Sequence, residues 1–133
     1  MLKFNNKNLV FDNKTNTVKY IDPKTGNIAA NMKIGISRNG KTLTLNHGRT
    51  MLKYRRRGIG TYLRAQIIKV AKNAGFNFVE QFSVNYTGTM NKPISARIME
   101  KLGGKRNNNS QYYYTFNLKN NKLQLNVKKP NTI

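Results

Sequence analysis

The residues with the densest chemistry are Arg55-Arg56-Arg57-Gly58-Ile59-Gly60, a run that opens into Thr61 and an amphipathic stretch. Glycines two apart let the main chain approach a ligand with no Cβ in the way. The first turn of a helix presents unpaired N–H groups and the positive end of its dipole. Together these make an anion site, and phosphate is its natural occupant. Two further groups could move a proton. His47 is the chain's one histidine, and its unperturbed pKa lies near neutrality. Glu80 is one of four acids, with Asp12, Asp22 and Glu100. So few carboxylates, no cysteine and a lone histidine predict no metal site.

The elements that must position these groups follow from period and turn chemistry. Residues 8–12, 17–21, 28–37 and 42–47 read as strands of an antiparallel meander. Their connections are Asn13-Lys14-Thr15-Asn16, the Pro-and-Gly turn around Pro23 and Gly26, and the Asn39-Gly40 hairpin. From Gly58 to Ala74 the period becomes helical: Ile59, Tyr62, Leu63, Ile67, Val70, Ala71 and Ala74 form one stripe. Thr61, Arg64, Lys69, Lys72 and Asn73 are expected on the opposite, solvent side. Gly75 stops the helix, and residues 76–84 form a strand, so a βαβ unit with adjacent parallel strands is predicted. A second helix runs from Pro93 to Leu102 and ends at Gly103-Gly104. Residues 105–110 read as a basic, Asn-rich turn, 111–118 as a strand and 122–127 as its partner. The fold class is α/β (α+β), a mixed sheet in one domain over 1–127 with a basic flexible tail at 128–133.

The formal charge is +21 over 133 residues. Self-repulsion on that scale calls for a polyanionic partner, and nucleic acid is the usual one. Codon bias toward Lys and Asn accounts for abundant lysine but not for scarce glutamate. In the nucleic-acid reading Lys53, Arg55, Arg56, Arg57, Lys105 and Arg106 meet phosphates, while Tyr113 stacks on a base. No apolar run of spanning length and no signal-peptide block is present, so a cytoplasmic protein without a membrane is expected.

The element order and the run Arg55-Arg56-Arg57-Gly58-Ile59-Gly60 resemble the GNAT superfamily of acyl-CoA-dependent N-acetyltransferases. The run fits that family's Gln/Arg-x-x-Gly-x-Gly/Ala pyrophosphate loop. A second block, Asn91-Lys92-Pro93-Ile94-Ser95 through Glu100-Lys101-Leu102-Gly103, is similar to the family's later helix. The resemblance covers residues 41 to 116. It implies acetyl-CoA as co-substrate, with the N–H groups of Arg57 to Gly60 on the pyrophosphate and the arginines reaching the 3′-phosphate. It also implies a strand that splays at a bulge, with Gly48 and Arg49 near the acyl carbonyl and Asn91 and Ser95 near the pantetheine. His47 and Glu80 are then the candidate bases; their plain readings are a surface histidine at a strand end and a structural ion pair.

Three departures stand beside the match. The family's two early helices are missing. Met99 occupies the position of the tyrosine that protonates the departing thiolate, leaving Tyr54 or Tyr86 as substitutes. Gly104 replaces the usual phenylalanine. The activity implied is transfer of an acetyl group to the primary amine of an unspecified acceptor. The alternative is a weakly active or inactive basic protein of GNAT fold, binding nucleic acid or serving structurally in a ribonucleoprotein or a phage particle; in the last case it would reside in the virion.

Overall fold

The computed structural model describes residues 2–83, 93–108 and 111–130. Its elements are β1 (Leu9–Asp12), β2 (Thr17–Ile21), β3 (Ile28–Ile36), β4 (Thr42–Thr50), α1 (Ile59–Asn73), β5 (Phe78–Ser83), α2 (Ile94–Leu102), β6 (Lys105–Asn108) and β7 (Gln111–Asn117). A 3-10 turn, Leu52–Tyr54, precedes α1. The strands form one sheet in the order β1-β2-β3-β4-β5-β7-β6. Among the described residues only β4 and β5 pair in parallel, which is the predicted βαβ unit.

The turns close as their side chains dictate. The Asp22 carboxylate accepts the N–H of Lys24 at 2.9 Å, and Gly26 takes φ of 77° beside it. Asn39 Oδ1 accepts the N–H of Lys41 at 3.0 Å while Gly40 takes φ of 71°. Both turns need left-handed backbone, which glycine adopts without steric cost.

One face of the sheet is buried. Val18, Tyr20, Met32, Leu43, Leu45, Val79, Tyr114 and Phe116 join the helices in a single apolar cluster. α1 lies on β3 and β4, and α2 on β6 and β7. The opposite face, with Phe78, Glu80, Phe82, Tyr113 and Thr115 in alternate positions, carries no helix among the described residues. Phe82 is accordingly 46% exposed.

α1 is buried more widely than one stripe. Ala65 and Ile68 are fully enclosed, and Thr61 and Arg64, which were expected in solvent, are buried at 9% and 8% exposed. Other chain segments supply the cover. Leu2 is buried at the N-terminal end, and Asn6 Nδ2 donates to the Tyr62 hydroxyl at 3.0 Å. On the C-terminal side, Leu123, Leu125 and Val127 pack on the core.

Two further expectations are corrected. Residues 122–127 are not a strand: the apolar alternation is real, but Gln124 N–H donates to Leu102 C=O at 2.9 Å and the segment runs over the helices. The strand pair is instead β6 with β7, so residues 105–108 form an edge strand rather than a turn. A polar edge strand has no apolar face to announce it. Gly104 has a packing reason, since a Cβ there would lie 2.8 Å from the Phe116 ring. The predicted strand end at Val84 lies outside the described residues.

Candidate active site

The sheet divides along one line. β4 and β5 pair from Thr42↔Phe78 to Leu45↔Gln81, after which β4 continues with β3 alone and β5 with β7 alone. At the point of division β4 is bulged: Leu45 opposes Ile34 and His47 opposes Lys33, so Asn46 is the extra residue. A bulge bends its strand and re-aims the side chains beyond it. His47 and Arg49 consequently share the uncovered face with Lys33, and both are exposed. Gly48 turns inward. A Cβ there would sit 2.5 Å from Met32 Cε and 3.3 Å from Arg64 Nη2.

The loop after β4 is held at both ends. The Tyr54 hydroxyl donates to Asp22 Oδ2 at 2.7 Å, and Arg55 Nε donates to Thr50 C=O at 3.1 Å. Between them and α1 the chain takes left-handed conformations at Arg56 (φ 65°) and Gly58 (φ 79°). Gly58 is the N-cap; no side chain caps the helix and its first turn contains no acid. The leading N–H groups of α1 therefore have no intrahelical acceptor and no competing carboxylate. Around Gly58 a Cβ would meet nothing within 4 Å, so the mouth of the loop is open. This fits a pyrophosphate: open, donor-rich and edged by Arg55, Arg56 and Arg57.

Arg64 was missed by the sequence reading. Its side chain is 8% exposed; Nε donates to Gln81 Oε1 at 3.1 Å and Nη1 to Gly60 C=O at 3.1 Å. Burial alone lowers its pKa to about 10, so it remains charged at neutral pH. The guanidinium thus bridges α1 and β5 and reaches Gly48 on β4, at the division of the sheet. The signal available was spacing: Arg64 stands four residues after Gly60, on the same helical face.

The other predicted residues scatter. Glu80 lies on the uncovered face, where its Oε2 accepts from Thr115 Oγ1 at 3.3 Å. Burial, then the Glu80 carboxylate, raises the Tyr113 hydroxyl above its usual range. Lys105 opposes Thr115 on that same face. Arg106 is turned the other way, its guanidinium 4.4 Å from the Tyr112 ring centroid. Lys53 sits in the 3-10 turn. Thr61 is buried in the first turn of α1, and Ser95 is half-buried in the first turn of α2. Asn91 and Tyr86 lie outside the described residues. Met99 is fully enclosed in the core, and the Tyr54 hydroxyl is donated to Asp22. Among the described residues no group of three His, Cys, Asp or Glu side chains is placed to hold a metal. No described helix is long and apolar enough to cross a membrane.

A seven-stranded mixed sheet with two helices is a fold shared with acetyltransferases of the GNAT family. Solved structures place the chain in that fold. A GNAT-family acetyltransferase from Bacillus anthracis matches with a TM-score of 0.65 at 14% identity, over 82% of this chain and 70% of that one. Nourseothricin acetyltransferase matches at 0.58 and 14% identity, over 82% and 69%. The ribosomal-protein-S18-alanine N-acetyltransferase of Escherichia coli matches at 0.57 and 13% identity, over 83% and 66%. At these identities the likeness is one of fold. No protein-family profile and no curated protein matches the chain.

Proposed function

We propose that the chain is an N-acetyltransferase that takes acetyl-CoA and acylates a primary amine. The observation that carries this is the coupling, within the GNAT fold, of the β4–β5 division to an uncapped glycine loop one short turn away. The N–H groups of Arg57, Gly58, Ile59 and Gly60 would hold the pyrophosphate, with Thr61 behind them and Arg55 and Arg56 beside the 3′-phosphate. Ser95, with Asn91, would meet the pantetheine. Acetyl-CoA supplies the activated acyl group. The chain's own contribution is positioning: β4 groups at Gly48 and Arg49, no longer paired with β5, polarise the carbonyl. His47, on the bulge, takes the ammonium proton directly, or Glu80 does so through water. The +21 charge disfavours lysine-rich acceptors by like-charge repulsion and suits acidic or nucleic-acid-associated ones.

The test is calorimetric titration with acetyl-CoA at moderate salt, for the wild type and for Gly58→Glu. The new carboxylate enters the open mouth of the loop and meets the pyrophosphate, so affinity should fall at least about tenfold. A wild-type protein that binds no acetyl-CoA refutes the reading.

The uncovered sheet face favours a second reading, as a nucleic-acid platform. Phe82 and Tyr113 meet edge to face at 6.1 Å there, with Lys33, Arg49 and Lys105 on the same face. Exposed aromatics among cations are what single strands stack on. Anisotropy with a labelled single-stranded oligonucleotide should show a steep salt slope and weakening in Phe82→Ala and Tyr113→Ala. Binding that ignores both substitutions removes this reading.

A further inference from the structure

Arg64 has the environment of a ligand-binding cation. It is more than nine-tenths enclosed, yet none of the four acids serves it. Asp12 pairs with Lys19, Asp22 takes the Tyr54 hydroxyl, Glu80 takes Thr115, and Glu100 takes the Tyr114 hydroxyl. Among the described residues its partners are neutral: the Gln81 amide oxygen and the Gly60 carbonyl. A buried charge without a counter-charge is costly, and an anion reaching it would offset that cost.

The geometry states what that something is. A guanidinium has five N–H donors, and Gln81 and Gly60 occupy one on Nε and one on Nη1. Nη2 makes no hydrogen bond among the described residues, and the Tyr20 hydroxyl is the one sealed, unbonded side-chain polar atom among them, so Nη2 is reachable. The unused donors form the Nη1–Nη2 end of the fork. Two glycines border it: a Cβ at Gly60 would lie 3.2 Å from Nη1, and one at Gly48 would lie 3.3 Å from Nη2. A planar, singly charged fork with space at its tip matches a planar, singly charged carboxylate, bound through two parallel hydrogen bonds.

We infer that Arg64 anchors a carboxylate subsite where β4 and β5 part, and that one of the two substrates carries the carboxylate. The location of the reaction rests on the function proposed above; the anion site itself does not. The carboxylate has two sources, the far end of the acyl chain or the amine acceptor. The Gln81 amide and the Gly60 carbonyl fix the guanidinium plane, so the subsite is preorganised.

The test uses the full chain and four probes. Succinyl-CoA is compared with acetyl-CoA by calorimetry, and glycine is compared with methylamine in the presence of CoA. The expected result is that the carboxylated member of one pair binds at least about tenfold tighter. Succinyl-CoA winning assigns the acyl chain; glycine winning assigns the acceptor. In Arg64→Leu the preferred pair should become equal. The same ratio in both pairs, or a preference that survives Arg64→Leu, overturns the inference. If Arg64→Leu does not fold, or if no CoA species binds at all, the wild-type Arg64 Nε–H resonance is followed while succinate and glycine are added. A saturable shift supports the subsite, and an unmoved resonance overturns it. Failure of CoA to bind with a carboxylate still moving Arg64 would remove the acetyltransferase reading and leave the anion site.

Discussion

Replacing Gly48 by alanine puts a methyl group where Met32 already lies. The new Cβ would be 2.5 Å from Met32 Cε, 3.2 Å from its Sδ and 3.3 Å from Arg64 Nη2. Carbon atoms in contact prefer about 3.5–4.0 Å, so the Met32 methyl must retreat by more than about 1 Å. Met32 is flexible but enclosed on all sides, and overpacking of this kind costs about 1–3 kcal/mol. At about 2.1 cal/mol/K per residue over 133 residues, the entropy of melting is about 0.28 kcal/mol/K. The melting temperature should therefore fall by about 4–11 °C. Urea denaturation of Gly48→Ala, Met32→Ala and the double variant isolates the cause. Met32→Ala alone should cost about 2–5 kcal/mol through its cavity, and the double variant should cost less than the sum by about 1 kcal/mol or more. A neutral Gly48→Ala, or strict additivity, would refute the claim that β4 presses on Met32 at the division.

Three further outcomes follow from single contacts. Tyr54→Phe removes the hydroxyl donated to the buried Asp22 carboxylate and should cost about 1.5–3 kcal/mol by urea denaturation; an unchanged midpoint would mean that this bond does not hold the loop. Gly58→Ala adds a methyl group to open space at φ of 79°, so it should cost only about 1–2 kcal/mol of backbone strain, with any larger loss pointing to an unforeseen clash. Burial, then Glu100, raises the Tyr114 hydroxyl to about 12 in the folded chain, against about 10 unfolded. Its contribution is complete below pH 10 and lost as pH rises toward 12, because the unfolded state ionises first. Arg64, lowered to about 10, acts oppositely in that window, so the measurement is the difference in alkaline slope between wild type and Tyr114→Phe. Equal slopes would sink the assignment.

Much of the architecture was legible because it is local. Thr17–Ile21 alternates, Asn39-Gly40 turns, and Ile59 to Ala71 repeats with helical period; each needs only its neighbours in sequence. The glycine loop at the start of α1 was legible for the same reason, since glycine spacing and a helix start lie within one stretch. Lys105–Asn108 was not, because an edge strand beside β7 needs no apolar pattern of its own. Residues 122–127 carry a legible alternation, but alternation does not name the partner. Leu123 and Leu125 meet the helices because the sheet edge at β7 is already taken by β6.

The sequence by itself determined a basic α/β chain with a glycine loop at a helix start, since charge, glycine spacing and periodicity are properties of adjacent residues. Only the tertiary structure decided that β4 and β5 part after Leu45 and Gln81, because an extra residue at Asn46 has meaning only against β3. Tertiary structure also decided the fate of Arg64. A charged residue in a helix reads as solvent-facing until distant segments enclose it, and here burial leaves a guanidinium at the place where the strands part.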